Sequence, residues 1–319
     1  MIREKDGIHI DSSRFVMDAR STKGEINFTS HAHMDHVHRN SESVVASDLT
    51  AKLASERLDK KLEASKHPDI RLLDSGHILG SSSALIENGD EKILYTGDVS
   101  LQDRAYLEGF DPVEADKLVV ESTYGIPAYR LPDQREVEKD IKAWIKETES
   151  PFLFGYSLGK AQKIQYLVQE VTDRPLVAHG AVKKMNDVVE KHTDLEFNAL
   201  EYGENKDLLR KGEGIFIGPT NFSRKDALNR LVDEASGKKA GFSGWGVQDS
   251  YRHRGGYDKV FPYSDHCGFD DLVELVEKVD PEKIYTHHGF DEAFAKHLSS
   301  KMGYNARALK NNQASLTDF

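Results

Sequence analysis

The run Ser30-His31-Ala32-His33-Met34-Asp35-His36 puts three imidazoles and a carboxylate within six residues, directly after an apolar stretch with strand character. Imidazole nitrogen and carboxylate oxygen are the ligands of zinc, manganese and iron. Extended backbone sends alternate side chains to one side, so His31 and His33 can meet one ion and Asp35 and His36 a second. Further positions can complete two sites. His77 sits in the turn Gly76-His77-Ile78-Leu79-Gly80-Ser81, and Asp98 ends the strand-like Tyr95-Thr96-Gly97-Asp98, where a carboxylate can bridge two ions. His287-His288-Gly289 follows another apolar strand. Each alone is an ordinary turn residue, but together they form an ordered series of donors.

Strands and turns must position these groups. Residues 13–18, 25–29 and 118–121 read as strands, and 83–87 and 92–95 as a hairpin around Asn88-Gly89-Asp90. The middle of the chain differs. Residues 132–146 have helical spacing, with Val137, Ile141, Trp144 and Ile145 on one stripe. Strands are expected at 151–156, 175–180, 214–218 and 239–242, and helices at 157–171 and 182–192. Such alternation predicts a parallel sheet covered by helices. A helix at 269–279, a strand at 283–287 and a helix at 291–302 close the series.

The 319 residues suit two domains or one large α/β unit, and 38% hydrophobic residues can build a core. The absence of a long apolar run and the charged start predict no membrane span, secretory signal or membrane partner, and the cysteine usage predicts a reducing, cytoplasmic setting. The single cysteine, Cys267, excludes an internal disulfide framework and a Cys-rich zinc module, and reads as a packing residue. Lys and Arg number 43 against 54 Asp and Glu, a formal charge of −11, which argues against a protein that coats nucleic acid.

The HxHxDH run, the distal His77 and the late Asp98 resemble the signature of the metallo-β-lactamase superfamily. That resemblance implies a four-layer αββα sandwich with a dinuclear site at one edge, and two divalent ions, zinc or manganese. It assigns His31, His33 and His77 to the first metal, Asp35, His36 and a late His to the second, and Asp98 to the bridge. Asp18 matches an early aspartate that orients a ligand histidine. Three further motifs, Glu121-Ser122-Thr123-Tyr124-Gly125, Phe261-Pro262-Tyr263-Ser264-Asp265-His266 and His287-His288-Gly289, look like motifs A, B and C of the β-CASP nucleases. The resemblance puts Glu121, His266 and His288 at the motif positions. His288 is taken as the metal ligand because it directly precedes the glycine. The implied organisation is a metallo-β-lactamase domain in two parts, 1–125 and 256–319, with an α/β β-CASP insertion at 126–255.

A phosphodiester is inert, and two cations about 3.5–4 Å apart can stabilise the attacking and leaving oxygens while activating a hydroxide. The leaving alkoxide needs a proton, which His266 would supply with Glu121 holding its other nitrogen. Asp35, His266 and Glu121 are therefore the expected catalytic groups. Ser157 and Lys160 at a strand-to-helix turn, and Arg252 and Arg254 just before motif B, are the expected phosphate contacts. Pro127-x-Tyr129-x-x-Pro132-x-Gln134-x-Glu136, Leu158-Gly159-Lys160-Ala161-Gln162 and Gly241-Phe242-Ser243-Gly244-Trp245 resemble the Artemis/Apollo-type nucleases and the ligase-associated bacterial DNA exonucleases. DNA is thus the favoured substrate, as for a repair exonuclease. RNA 3′-end processing is the alternative, because a histidine at motif C is usual in the RNA branch. A small-molecule hydrolase of the same fold would lack the Glu121–His266 pair, and a non-catalytic paralogue would have lost metal ligands. Two metals add about four positive charges that the −11 omits, and Asp35 and Asp98 are among the acids it counts, so the expected grip on nucleic acid is local.

Overall fold

The structure is a computed structural model that describes residues 2–11, 14–248, 251 and 255–309. The described residues form a mixed α/β fold with three six-stranded sheets. The described residues of Met1–Leu101, Gly109–Arg130 and His266–Phe319 form one compact unit, and those of Gln102–Glu108 and Leu131–Asp265 a second.

The first unit holds two sheets. One runs in spatial order β1 (Arg3–Glu4), β2 (Ile8–Ile10), β3 (Phe15–Met17), β4 (Ile26–Phe28), β5 (Ser43–Val45), β6 (Glu63–Ser65). Helix α1 (Asp48–Leu58) lies between the last two strands in the chain. Ser47 caps it, accepting from Thr50 N at 3.0 Å. The other sheet comprises β7 (Ile70–Asp74), β8 (Ser82–Asn88), β9 (Glu91–Tyr95), β10 (Lys117–Glu121), β17 (Lys283–His287) and β18 (Ala306–Ala308), in the order β18-β17-β10-β9-β8-β7. Strand alternation explains its two cores. Ile86, Ile93, Tyr95 and Val119 pack with Phe15, Met17, Ile26 and Phe28 of the first sheet. Leu85, Leu94, Leu118, Val120 and Ile284 point the other way, against Leu272, Leu275, Val276 and Val279 of one helix (Phe269–Val279) and Phe294 and Leu298 of another (Asp291–Met302).

The second unit is an all-parallel sheet in the order β13-β12-β14-β11-β15-β16. Its strands are β11 (Pro151–Gly155), β12 (Leu176–Ala178), β13 (Leu200–Glu201), β14 (Ile215–Pro219), β15 (Lys238–Phe242) and β16 (Lys259–Phe261). Parallel strands are covered on both faces, so they read as unbroken apolar runs. Leu153, Ile215 and Ile217 meet α2 (Gln134–Glu147), α3 (Lys160–Gln169) and α4 (Gly180–His192) on one side. Phe152, Phe154 and Phe216 meet α5 (Lys206–Arg210) and α6 (Asp226–Glu234) on the other. Two further helices among the described residues, α7 (Phe269–Val279) and α8 (Asp291–Met302), belong to the first unit.

Two details differ from the sequence reading. The helix expected from residue 157 starts at Lys160, because Gly159 stands at φ 88, a conformation that no helix continues through. The unit bounds also depart from those expected: residues 102–108 and 256–265 go with the second unit and 126–130 with the first, β16 pairing in parallel with β15 at the second unit's sheet edge.

Candidate metal centre

All the residues of this centre belong to the first unit. The histidine loop leaves the sheet after β4, where Thr29 N donates to Val45 O at 3.0 Å. Asp18, just past β3, holds that loop from a left-handed backbone position, φ 50. Its carboxylate accepts from Ser30 N (2.6 Å), the Ser30 hydroxyl (2.6 Å), the Tyr95 hydroxyl (2.8 Å) and His36 Nδ1 (3.0 Å). A serine hydroxyl has one proton, and Ser30 gives it to Asp18. The 2.9 Å contact between Ser30 Oγ and His31 Nδ1 is then donated by the ring. His31 therefore carries its proton on Nδ1 and turns a bare Nε2 inward. Burial, with His36, His77 and His33 beside it, keeps this ring well below the usual histidine range and so neutral, the form that ligates metal.

Four donors converge there. His33 Nδ1 lies 3.0 Å from His31 Nε2 and 3.3 Å from His77 Nε2. Asp98 Oδ2 lies 3.4 Å from His31 Nε2 and 3.6 Å from His77 Nε2. One ligand atom from each of the four falls within 4.8 Å of all the others. A tetrahedral zinc with bonds of about 2.1 Å spaces its ligands about 3.4 Å apart, so the donor set fits such an ion. A second set adjoins it. His36 Nε2 is 3.6 Å from the same Asp98 oxygen and 3.8 Å from Asp35 Oδ2. Burial would lower His36, but Asp98, Asp18 and Asp35 outweigh it and hold the ring at about 10. Such a concentration of negative potential around one imidazole is what a divalent cation neutralises, releasing a proton as it binds.

Glycines let these loops approach one another. A Cβ on Gly97, at φ 56, would fall 2.7 Å from Ser30 Cβ. A Cβ on Gly289, at φ 63, would fall 2.4 Å from Thr123 Cα. The Ser122 hydroxyl shares its one proton between the carbonyls of His288 (2.7 Å) and His287 (3.0 Å). His287 is buried and stacks on Tyr95 at 5.7 Å between ring centres, whereas His288 is exposed at φ 62. Burial pushes the Asp35 carboxyl up, while His36, His33 and, more weakly, His288 pull it below its ordinary value.

Beside the donors lies a carboxylate–histidine pair. Glu121 ends β10 fully buried, and its Oε1 accepts from His266 Nδ1 at 2.8 Å. Its Oε2 accepts from Thr123 N at 2.9 Å. Burial raises this acid, but His266 and Thr123 overcome it and hold Glu121 ionised, at about 2. The His266 ring is 4.7 Å from that of His77, and Asp98, Glu121 and His266 each offer an atom within 4.8 Å of the others.

The expected phosphate contacts fare differently. Lys160 is enclosed in the second unit, its Nζ 2.5 Å from Tyr263 O and 2.9 Å from Asp265 Oδ1. An ammonium committed to a buried carboxylate is not offered to a phosphate, which corrects the reading of that residue. Ser157 is half-buried, with its carbonyl accepting from Gln162 Nε2 at 3.1 Å. Arg252 and Arg254 lie outside the described residues. Sequence reasoning gave no role to Ser30, Tyr95, Thr123 or Arg57, whose Nη1 donates to Ala32 O at 3.1 Å and pins the histidine loop. Only the hydrogen-bonding capacity of Ser30, inside the histidine run, could have signalled such a role.

Asp18 is the element whose loss tests this support. Asp18→Asn cannot accept four donors, so cation binding should weaken about 10–100-fold, the usual cost of losing a ligand-orienting partner. A competition titration with a chromogenic chelator reads this, and wild-type affinity would show that Asp18 orients nothing.

The cluster is compatible with metal binding. Residues 259–309 match the Zn-dependent metallo-hydrolase RNA specificity domain. A probable DNA ligase of Opitutus terrae is 31% identical over 99% of this chain, which spans only 32% of that protein's length. A probable RNase MJ4 of Methanocaldococcus jannaschii is 27% identical over 82% of this chain and 81% of its own length. Cleavage and polyadenylation specificity factor subunit 3 of Dictyostelium discoideum is 31% identical over 37% of this chain and 16% of its own. Among solved structures, a protein of unknown function from Enterococcus faecalis V583 shares the fold, with TM-score 0.56 and 13% identity over 85% of this chain and 77% of that one. Together these matches support a metallo-β-lactamase β-CASP nuclease family for this chain. No helix among the described residues is long and apolar enough to cross a membrane.

Proposed function

We propose that the chain is a two-metal phosphodiesterase that degrades DNA as a repair exonuclease. The observation that carries this reading is the Glu121–His266 pair, 2.8 Å apart, beside the buried His31/His33/His77/Asp98 cluster. A small-molecule hydrolase needs the cluster but not the pair. On this reading the first unit is the αββα metallo-β-lactamase sandwich and the second the β-CASP insertion.

His31, His33, His77 and Asp98 would hold one cation, and Asp98, Asp35, His36 and His288 the other. The bound cations, zinc or manganese, supply Lewis acidity toward the phosphate oxygens and lower the pKa of a water. The chain's own residues do the rest. Asp18 and Ser30 fix the tautomer of His31. Glu121 accepts the Nδ1 proton of His266 and fixes the ring, so that Nε2 carries the proton delivered to the departing oxygen. Ser157 and the Arg252/Arg254 segment remain the proposed phosphate contacts. Lys160 is withdrawn from that role.

DNA is supported by the relative in which a segment matching nearly this whole chain forms part of a probable DNA ligase. RNA 3′-end processing is the second reading, favoured by the match of residues 259–309 to an RNA specificity domain. Matched single-stranded DNA and RNA oligonucleotides, with manganese and with zinc, separate the two. Faster DNA turnover is expected, and a clear preference for RNA would reverse the choice. A circular single strand added to the same assay should resist cleavage if the action is exonucleolytic.

A further inference from the structure

The four residues before His266 are gripped in an unusual way, entirely within the second unit. Gln134 Nε2 donates to Pro262 O at 3.3 Å, and Gln134 Oε1 accepts from Ser264 N at 2.8 Å. Lys160 Nζ donates to Tyr263 O, and the Tyr263 hydroxyl donates to Glu138 at 2.5 Å. Arg104 Nη1 donates to Ser264 O at 2.6 Å. The Asp265 carboxylate pairs with Lys160 at 2.9 Å and also with Lys163. Gln134, Glu138, Arg104, Lys160, Lys163 and Asp265 are all buried, and the two lysines and the arginine are almost completely so.

Burying three cations around one tetrapeptide is costly, and a buried ion pair is weak evidence for added stability. Apolar residues would fill the same volume at less cost. What charged partners add is direction: each bond fixes a particular atom of the segment. His266 is the next residue in the chain. On its other side Cys267 N donates to Val99 O at 2.8 Å in the first unit. The segment just before His266 is thus held within the second unit, and the residue just after it within the first.

We propose that Lys163 and Asp265 are positioning residues for His266, holding the backbone that presents its imidazole to Glu121. The inference rests on the general-acid reading of His266. Both are buried and paired with each other inside the second unit. A misplacement of about 1 Å of a catalytic group can cost on the order of 100-fold in rate.

The test uses the full chain loaded with manganese. Lys163→Met should lower kcat about 10–100-fold with KM and cation content near wild type, and Lys163→Arg should recover much of the loss. In a His266→Ala background Lys163→Met should add almost nothing, because both changes act through one group. Wild-type kcat in folded Lys163→Met, or a loss that multiplies fully onto His266→Ala, would overturn the proposal. Should Lys163→Met not fold, Gln134→Leu frees Ser264 N without unpairing a buried charge, and the same cycle applies to it. If His266→Ala alone has wild-type kcat, the general-acid reading falls instead, so the two failures are distinguishable.

Discussion

Asp98→Asn should abolish cleavage, lowering kcat by at least about 10³-fold, and should strip the chain of cations. Asp98 Oδ2 is the oxygen shared by the two donor sets, 3.4 Å from His31 Nε2 and 3.6 Å from both His77 and His36. An amide keeps the shape but removes the negative charge that two cations would share. If the metals contribute several kcal/mol to transition-state stabilisation, losing about 4 kcal/mol is roughly a thousandfold in rate. Elemental analysis of the purified variant should give well under one divalent ion per chain. Folding should survive, because the cores of the first unit are built from β2–β5, β7–β10, β17, α7 and α8 and do not use Asp98. Two ions per chain and near-normal kcat would refute the assignment of Asp98.

His266→Ala should separate chemistry from metal binding. A positioned general acid contributes about 10²–10⁴-fold, so kcat should fall by that factor while cation content stays at the wild-type level. Glu121→Gln should resemble it, because an amide does not hold the ring as a buried carboxylate does. The double variant should be little slower than His266→Ala, since Glu121 acts through the ring it holds at 2.8 Å. Loss of metal from His266→Ala would show that the ring is a ligand. A substrate whose leaving group needs no proton, such as a nitrophenyl phosphodiester, should restore much of the rate.

What the sequence made legible was what lies close along the chain. The histidine run, the hairpin around Asn88-Gly89 and the last helix–strand–helix series have local signals of spacing, turn chemistry and apolar stripes. The bounds Phe269–Val279, Lys283–His287 and Asp291–Met302 are those that periodicity predicts. Helix α1 was not readable, because its buried face is Thr50, Ala51, Leu53 and Ala54, which form no apolar stripe against a polar background. Helix α6 did carry a signal, Leu228, Leu231 and Val232 at helical spacing, but over only nine residues. The strands β5, β6 and β7 are short or half-exposed and have weak patterns.

The candidate site shows the same division. Donor types and their order along the chain could be listed from sequence, but not the bonds that orient them. Asp18 reaches Tyr95 across 77 residues and His36 across 18. Lys160 shows why local reading misleads. A lysine after glycine at a helix start suits a phosphate, and the partner that claims it, Asp265, lies 105 residues away. His287 and His288 were distinguished only by the following glycine. The fold turns the first inward against Tyr95 and leaves the second exposed.

The most direct test of the central claim measures metal and cleavage on one preparation. Protein purified without chelator, analysed for cations and assayed on end-labelled single-stranded DNA, should contain two divalent ions per chain. Its activity should vanish on dialysis against chelator and return with added manganese or zinc. Unchanged cleavage by chelated, metal-free protein, or a fully loaded protein that cleaves neither DNA nor RNA, would contradict it.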